Sequence, residues 1–430
     1  MALHKHHCPL PVTKGYNLIG THVIPASATA YTPQSVAELA AIVQSAAHSG
    51  QVLTPWGAGT LQHLGRAPLP EAVPLYTSAL NRIVEYNPAD LTITVEAGAA
   101  LGDIQTALNA HGQWLPWEPP TSQRATIGGL LAAGVSGPLR LGYGTPRDWL
   151  LGMRVVLGDG RLVKSGGKVV KNVAGYDTHK AQLGALGTLG VITEVTLKVA
   201  PLPEQLATLV FTCGDRMLAW NLAEQLRQRP LAPVSLVLSE GEQTPVMLLA
   251  RFAGLGTAVT RQLHLAQDAG RALGAEYKAL PADETVLLWQ ALAGFTNPQL
   301  RHPQAGAAAA LVLRAGAPLA ALAHILDVLR HMAPPDSHVR TIGYGGIGLA
   351  YARWYLPEIA DRAVVRAVGS LRDRLATIEG YVVVEAAPGA LREQLNLWGP
   401  PPATFGLMRA LKARWDAQSV LNRGRYVGGI

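Results

Sequence analysis

KVVKNVAGYDTHKAQLGALGTLGVITEVTLKVAPLP, Lys168 to Pro203, closes on a strand pattern fed by a glycine-rich turn. Val191, Thr193, Val195, Leu197 and Val199 alternate with Ile192, Glu194, Thr196 and Lys198, a period of two that predicts a strand with two distinct faces. Gly187-Thr188-Leu189-Gly190 runs straight into it. Glycine has no Cβ, so such a turn lets main chain approach a flat or charged ligand closely. The spacing of Gly184, Gly187 and Gly190 imitates a dinucleotide fingerprint. That fingerprint follows a strand and opens a helix, whereas these glycines precede a strand, so a Rossmann unit is excluded here.

Two more glycine clusters lie upstream. A helix is predicted from Ser35 to about His48, with Ser35 and Glu38 at capping-box spacing and Val36, Leu39, Ala40 and Val43 as its apolar stripe. Gly50 stops it, and Gln51–Thr54 reads as a short strand leading into Pro55-Trp56-Gly57-Ala58-Gly59-Thr60, a turn with exposed amides. Leu91–Ala97 alternates as another strand, followed by a helix near Leu101–Ala110 that Gly112 closes. The third cluster, Ala125-Thr126-Ile127-Gly128-Gly129, opens a short helix over Ile127–Ala133, and a helix N-terminus with free amides suits a phosphate. Gly158-Asp159-Gly160 between Leu151–Leu157 and Arg161–Lys164 predicts a hairpin.

Hydrophobic residues make up 49% of the 430 and charged residues 15%, a folded, core-rich composition with room for two or three domains. Only Cys8 and Cys213 are present, which excludes a disulfide scaffold, a cysteine-ligated zinc and a protein-bound iron–sulfur cluster. The net charge of +7 is spread along the chain, so no nucleic-acid partner is expected. Arg154, Arg161, Lys164, Lys168 and Lys171 read as a solvated hairpin surface. No apolar run is long enough to span a membrane and no signal-peptide core opens the chain, so a cytoplasmic location is expected, with peripheral membrane attachment through partners left open. His4, His6, His7 and Cys8 read as a tail with chance histidines, and no metal is expected.

The pattern changes after Pro201-Leu202-Pro203. Strand candidates at 206–213, 234–239, 246–252, 308–313, 347–352 and 381–386 alternate with helix candidates at 217–228, 257–273, 319–331 and 358–376, the order of a ferredoxin-like α+β domain. No internal repeat is evident. A helix over Ala403–Trp415 precedes Leu421-Asn422-Arg423-Gly424-Arg425.

The motifs PxGAGT at Pro55–Thr60, ATIGG at Ala125–Gly129, KNVAGYD at Lys171–Asp177 and GTLGVITEVTLK at Gly187–Lys198 are each modest, but their order and spacing resemble the FAD-binding family typified by p-cresol methylhydroxylase and vanillyl-alcohol oxidase. Within it the chain is similar to the FAD-binding E subunits of glycolate oxidase (glycolate dehydrogenase). The resemblance implies an α+β fold: a tail (1–24), a two-subdomain FAD-binding domain (25–203), a ferredoxin-like cap domain (204–395), and a C-terminal helix and tail (396–430) returning to the FAD domain. It implies FAD held by Gly57, Ala58, Gly59, Thr60 and Leu61 around the pyrophosphate. Pro119, Pro120 and Thr121 would pass beside the flavin, and Gly128 and Gly129 would offer amides to phosphate. Ser136 and Gly137 would line the same channel, with Gly187, Gly190 and Ile192 near the adenosine. Several converging N–H donors are what a dianionic diphosphate needs. Departures from the family are Trp56, where relatives often carry arginine, and Arg423 in place of the proline of an Asn-Pro-Gly-Arg ending. No histidine adjoins Gly57–Thr60, and His63 lies beyond, so the FAD is expected to be non-covalent.

Oxidising a 2-hydroxy acid needs a base for the hydroxyl proton and a cation for the carboxylate. Catalytic relatives carry a histidine-rich HxGDGNxH-like segment in the second domain; the comparable Gly343–Gly348 has no histidine or acid. The resemblance therefore implies the FAD-carrying subunit of a glycolate-oxidising complex. Its partners would be a catalytic FAD subunit and an iron–sulfur subunit, delivering electrons to a quinone. The alternative is a stand-alone FAD-dependent 2-hydroxy-acid dehydrogenase, for D-lactate for example. Arg301 and His302 are the cation–base pair considered for catalysis; Arg340, Tyr351 and Arg353 rank below them, with packing or surface roles.

Overall fold

The computed structural model describes residues 30–121, 123–168, 175–228, 230–242, 244–298, 310–356 and 361–430. The N-terminal histidines, Lys171–Ala174 of the KNVAGYD motif, and Arg301 with His302 lie outside the described residues. The chain forms two units. One combines the described residues up to Gly137 with Tyr143–Leu202 and Asn396–Ile430; the other combines Pro203–Leu395 with the short strap Pro138–Gly142.

The first unit contains β1 (Leu53–Trp56), β2 (Val73–Tyr76), β3 (Ile83–Asn87), β4 (Thr92–Glu96), β5 (Gln113–Trp114), β6 (Leu150–Val156), β7 (Leu162–Gly166), β8 (Val191–Lys198) and β9 (Ala200–Pro201). β1 and β2 pair in parallel beneath the helix Val36–Ser49, whose Ser35 cap accepts from the Glu38 amide at 3.2 Å. Leu39, Val43 and Ala46 of that helix meet Leu53, Val73 and Leu75 in one core. β1 sits two residues beyond the stretch predicted from sequence, and β2 and β3 were not anticipated. β1 and β2, a parallel pair buried on both sides, show no alternation to read.

β3-β4-β8-β6-β7 form an antiparallel sheet. β8 is its central strand, and only Glu194 and Lys198 in it are partly exposed. Val195 and Leu197 pack with Ile93 and Val95 against Leu101, Ile104 and Leu108 of the helix Leu101–Asn109 and against Ile127, Leu130 and Leu131 of the helix Ile127–Ala133. β6 and β7 form the expected hairpin around Gly160, whose φ is +85°.

The second unit holds β10 (Gln205–Cys213), β11 (Ser235–Glu240), β12 (Val246–Gly254), β13 (Glu276–Ala279), β14 (Ala310–Gly316), β15 (His338–Tyr344), β16 (Leu349–Tyr355) and β17 (Tyr381–Ala386). They make one sheet in the order β13-β10-β12-β11-β15-β16-β14-β17, with every pair antiparallel. The order resolves into two ferredoxin-like halves, each running strand–helix–strand–strand–helix–strand. In both, the fourth strand lies beside the first and the third lies between the first and second. The halves join edge to edge through β11 and β15. The sequence carries no visible repeat, yet the fold is duplicated, because topology depends on which positions are buried and not on which apolar residue fills them.

Both third strands carry a buried arginine, Arg251 and Arg353, and both reach the connection between the halves. The Arg251 guanidinium lies 5.3 Å from the Trp289 ring in the helix Ala282–Ala293. Arg353 donates to the carbonyls of Phe295, at 2.8 Å, and Asn297 just beyond that helix.

Charge staples the seam. Arg216 bonds Glu240 at 2.9 Å and Asp327 at 2.7 Å, and Arg330 meets Glu240 at 3.0 Å. Burial, the largest single influence, would raise the Asp327 pKa, but the hydrogen bond from Arg216 together with the charges of His331, Arg216 and His324 holds the carboxyl below its ordinary 3.8. A lowered carboxylate pKa contributes stability above the unfolded value that is lost as pH falls through the folded one. Arg216→Met should therefore cost about 2 kcal/mol at neutral pH, the scale of a charge-assisted hydrogen bond. It should also flatten the loss of stability below about pH 4, read by urea unfolding across pH.

Candidate cofactor site

The end of β1 opens into a solvent-connected cleft. Gly57, Ala58, Gly59, Thr60, Leu61, Gly128, Gly129, Gly187, Gly190 and Ile192 all line it, so ten of the residues predicted from sequence converge there. Among the described residues its charged lining residue is Arg425, and no carboxylate lines it.

The loop after β1 is shaped by close approach. A Cβ on Gly57 would fall 2.1 Å from Thr126 Oγ1, and one on Gly59 would fall 2.7 Å from the Trp56 indole nitrogen. Gly59 has φ +75°, so the turn folds back over the indole, whose other neighbour is Tyr76 at a 6.3 Å centroid distance. Trp56, standing where relatives often have arginine, is thus the floor of the turn. The amides of Gly57, Ala58, Gly59, Thr60 and Leu61 donate to no acceptor among the described residues.

The second glycine pair behaves otherwise. The Gly128 amide donates to Ala97 O at 2.8 Å and the Gly129 amide to Thr126 Oγ1 at 3.3 Å. The expectation that these two amides serve a phosphate is corrected: the Gly128 amide is taken by the Ala97 carbonyl and the Gly129 amide by the Thr126 cap of its own helix. A Cβ on Gly128 would lie 2.7 Å from that of Ala97, so glycine is required there to let the helix lie on the strand.

Pro119, Pro120, Thr121, Ser136 and Gly137 do not line this cleft. Gly137 instead packs against the segment before Pro119, where a Cβ on it would fall 2.0 Å from Glu118 O. Thr121 sits at φ +55° with its hydroxyl turned to Pro120 O at 2.6 Å.

The C-terminal tail, which the resemblance brings back to the FAD domain, builds the remaining wall. Leu53 donates to Val420 O at 2.7 Å, and Asn422 donates to Leu53 O at 2.9 Å, so the tail lies along β1. Asn422 Nδ2 reaches Leu186 O at 2.6 Å while its Oδ1 is buried without a partner. Arg425 donates to the carbonyls of Gln62, Leu64 and Arg66 at 3.1, 2.9 and 3.0 Å. Arg423, in the proline position of the family ending, folds back onto Ser419 O at 2.8 Å. The helix Phe405–Trp415 supplies Lys412, which is 7% exposed and donates to Thr188 O, Asp416 Oδ2 and Leu421 O at 2.7, 2.6 and 2.9 Å. A lysine and an aspartate at i and i+4 were the available signal; their spacing looks the same on any surface helix.

These residues fit a dinucleotide diphosphate. Among the described residues, five consecutive amides without acceptors belong to lining residues and are available to an anion, the lining carries no opposing negative charge, and Asn422 Oδ1 is a buried acceptor without a donor.

The family profile described as FAD binding domain matches residues 27–166. That stretch, a third of the chain, is an FAD-binding domain. FAD is its cofactor. The glycolate oxidase subunit GlcE of Escherichia coli K12 is 47% identical over 122 residues, which are 28% of this chain and 35% of that one. The match thus spans about a third of that relative. The glycolate oxidase subunit GlcD of Bacillus subtilis 168 is 25% identical over 413 residues, covering 91% of this chain and 87% of its own. A solved structure of alkyldihydroxyacetonephosphate synthase superposes with a TM-score of 0.70 at 17% identity, over 91% of this chain and 76% of that one, and shows the shared fold. Among the described residues no helix is long and apolar enough to cross a membrane.

Proposed function

We propose that this chain is the FAD-carrying subunit of an assembly that oxidises glycolate to glyoxylate. The observation that carries the reading is the run of five unpaired amides at Gly57–Leu61 in an acid-free cleft, joined to the similarity with two glycolate oxidase subunits. FAD supplies two-electron oxidation of a CH–OH group to a carbonyl. The chain's own part is to hold the diphosphate through the Gly57–Leu61 amides and to close the cleft with the Asn422–Arg425 tail. Two electrons and two protons leave glycolate; the electrons pass to an iron–sulfur partner and on to a quinone. Among the described residues no histidine, cysteine or tyrosine lines the cleft, in keeping with non-covalent FAD.

The chain purified alone should be yellow, and acid precipitation should release its FAD into the supernatant. Anaerobic glycolate should leave the flavin oxidised in the isolated chain and bleach it once the partner subunits are added. Bleaching of the isolated chain would replace this reading with that of a stand-alone 2-hydroxy-acid dehydrogenase. A colourless protein that takes up no added FAD would remove the cofactor assignment.

A further inference from the structure

In the second unit a polar cluster stands on the sheet that the two halves share. Arg314 on β14 lies directly opposite Tyr351 on β16 in the strand register. Its Nε donates to Glu385 Oε1 on β17 at 2.7 Å and its Nη1 to the Tyr381 hydroxyl at 3.3 Å. A guanidinium has five N–H donors. The other three have no acceptor among the described residues, and neither does the Tyr351 hydroxyl. The Tyr344 ring stands edge-on to that of Tyr351 at 5.9 Å and fixes its direction. The side chains of Arg314 and Glu385 are 28% and 11% exposed, open enough for a small molecule and too enclosed for a solvated surface pair.

We propose that Arg314, Tyr351 and Glu385 form a binding site for a small 2-hydroxy acid. The ligand carboxylate takes the spare Nη donors of Arg314 and the Tyr351 hydroxyl, and the ligand hydroxyl donates to the second oxygen of Glu385. The proposal rests on the reading that this chain handles 2-hydroxy acids. The spare Arg314 donors and the Tyr351 hydroxyl are not among the buried polar atoms left without a partner, so a ligand can reach them by displacing water. Burial pushes the Tyr351 phenol well above its ordinary value, so it stays protonated and able to donate. Burial likewise raises Glu385 against the pull of Arg314. The other polar groups around the cluster are Tyr381, Tyr344 and Arg140. Arg353, two residues from Tyr351, is fully buried and committed to the Phe295 and Asn297 carbonyls.

Calorimetry on the FAD-loaded full chain, reduced anaerobically with dithionite so that no turnover occurs, tests the site with glycolate and acetate as probes. Wild type should bind glycolate at least about tenfold more tightly than acetate, because a site built around a hydroxyl rejects the analogue lacking it. Arg314→Met should weaken glycolate at least about tenfold, while Arg314→Lys, which keeps the charge, should retain most of the affinity. Glu385→Gln should leave acetate binding in place and narrow the preference for glycolate. Equal glycolate affinity in wild type and Arg314→Met, an undiminished preference in Glu385→Gln, or no glycolate binding by wild type would each overturn the site. The two readings separate cleanly. Wild type and Arg314→Met bleached equally by glycolate, with partners present, would sink the site and leave the function standing. Arg314-dependent binding with no bleaching under any condition would do the reverse.

Discussion

Gly57→Val is expected to give a folded but colourless protein. The Cβ alone would sit 2.1 Å from Thr126 Oγ1 and 3.2 Å from Thr126 Cβ, well inside any real contact. Thr126 cannot retreat freely, because its hydroxyl caps the helix Ile127–Ala133 by accepting from Gly129. The loop must move instead, and it carries the five amides that line the cleft. Charge-assisted hydrogen bonds depend on donors converging within a few tenths of an ångström, so the displacement removes several together. A loss of two or more such bonds corresponds to about 3 kcal/mol, or roughly a hundredfold in FAD affinity. Titrating apo-protein with FAD while following flavin fluorescence reads the affinity. The rise in melting temperature that wild type shows with added FAD should vanish in the variant, since that rise follows from binding to the native state alone. Gly369→Ala, in the helix Asp361–Ala376 with open space around it, is the matched control and should bind FAD normally. Wild-type affinity in Gly57→Val would mean that the diphosphate sits elsewhere.

What could be read from sequence followed the physical kind of each signal. The Ser35 cap, the Gly160 hairpin and the strand after Gly190 rest on contacts within a few residues, and they appear where the pattern puts them. The loop at Gly57–Leu61 was legible because several glycines in one turn have few uses. The pair Gly128–Gly129 carried the same letters with a different purpose: Gly128 is small because Ala97 lies against it, and no local pattern tells a strand neighbour from a phosphate. The duplication of the second unit was invisible for a related reason. Arg251 and Arg353 occupy the third strands of the two halves, yet the residues around them differ wherever the core tolerates a swap. The Arg314–Tyr351–Glu385 cluster draws on three strands, and Glu385 comes from one 71 residues away. Such a meeting is set by sheet order, which sequence spacing does not encode.

Lys412→Met is expected to cost about 3–5 kcal/mol, the scale for leaving one member of a buried ion pair behind. All three protons of the Lys412 ammonium are used, on Thr188 O, Asp416 Oδ2 and Leu421 O. The Asp416 side chain is fully buried and also accepts the amides of Val420 and Leu421, both at 2.9 Å. Methionine fills the space of the lysine stem but leaves Asp416 charged without a cation and two carbonyls without donors. In a unit of this size the loss should lower the melting temperature by about 10 °C. Asp416→Asn added to Lys412→Met should recover part of it, because the buried charge disappears while acceptors for the Val420 and Leu421 amides can be kept. Their non-additivity, measured as a double-mutant cycle, reports the coupling directly. The consequence reaches the cofactor as well. Thr188 O belongs to the turn between Gly187 and Gly190, and Leu421 O begins the tail that places Asn422 and Arg425 in the cleft. Lys412 therefore ties two walls of the FAD site together without lining it. Weaker FAD binding in Lys412→Met, at a temperature where the variant is still folded, is the outcome that separates this tie from a purely local staple. Unchanged affinity would show that the tail holds its place through Leu53 and Arg425 alone.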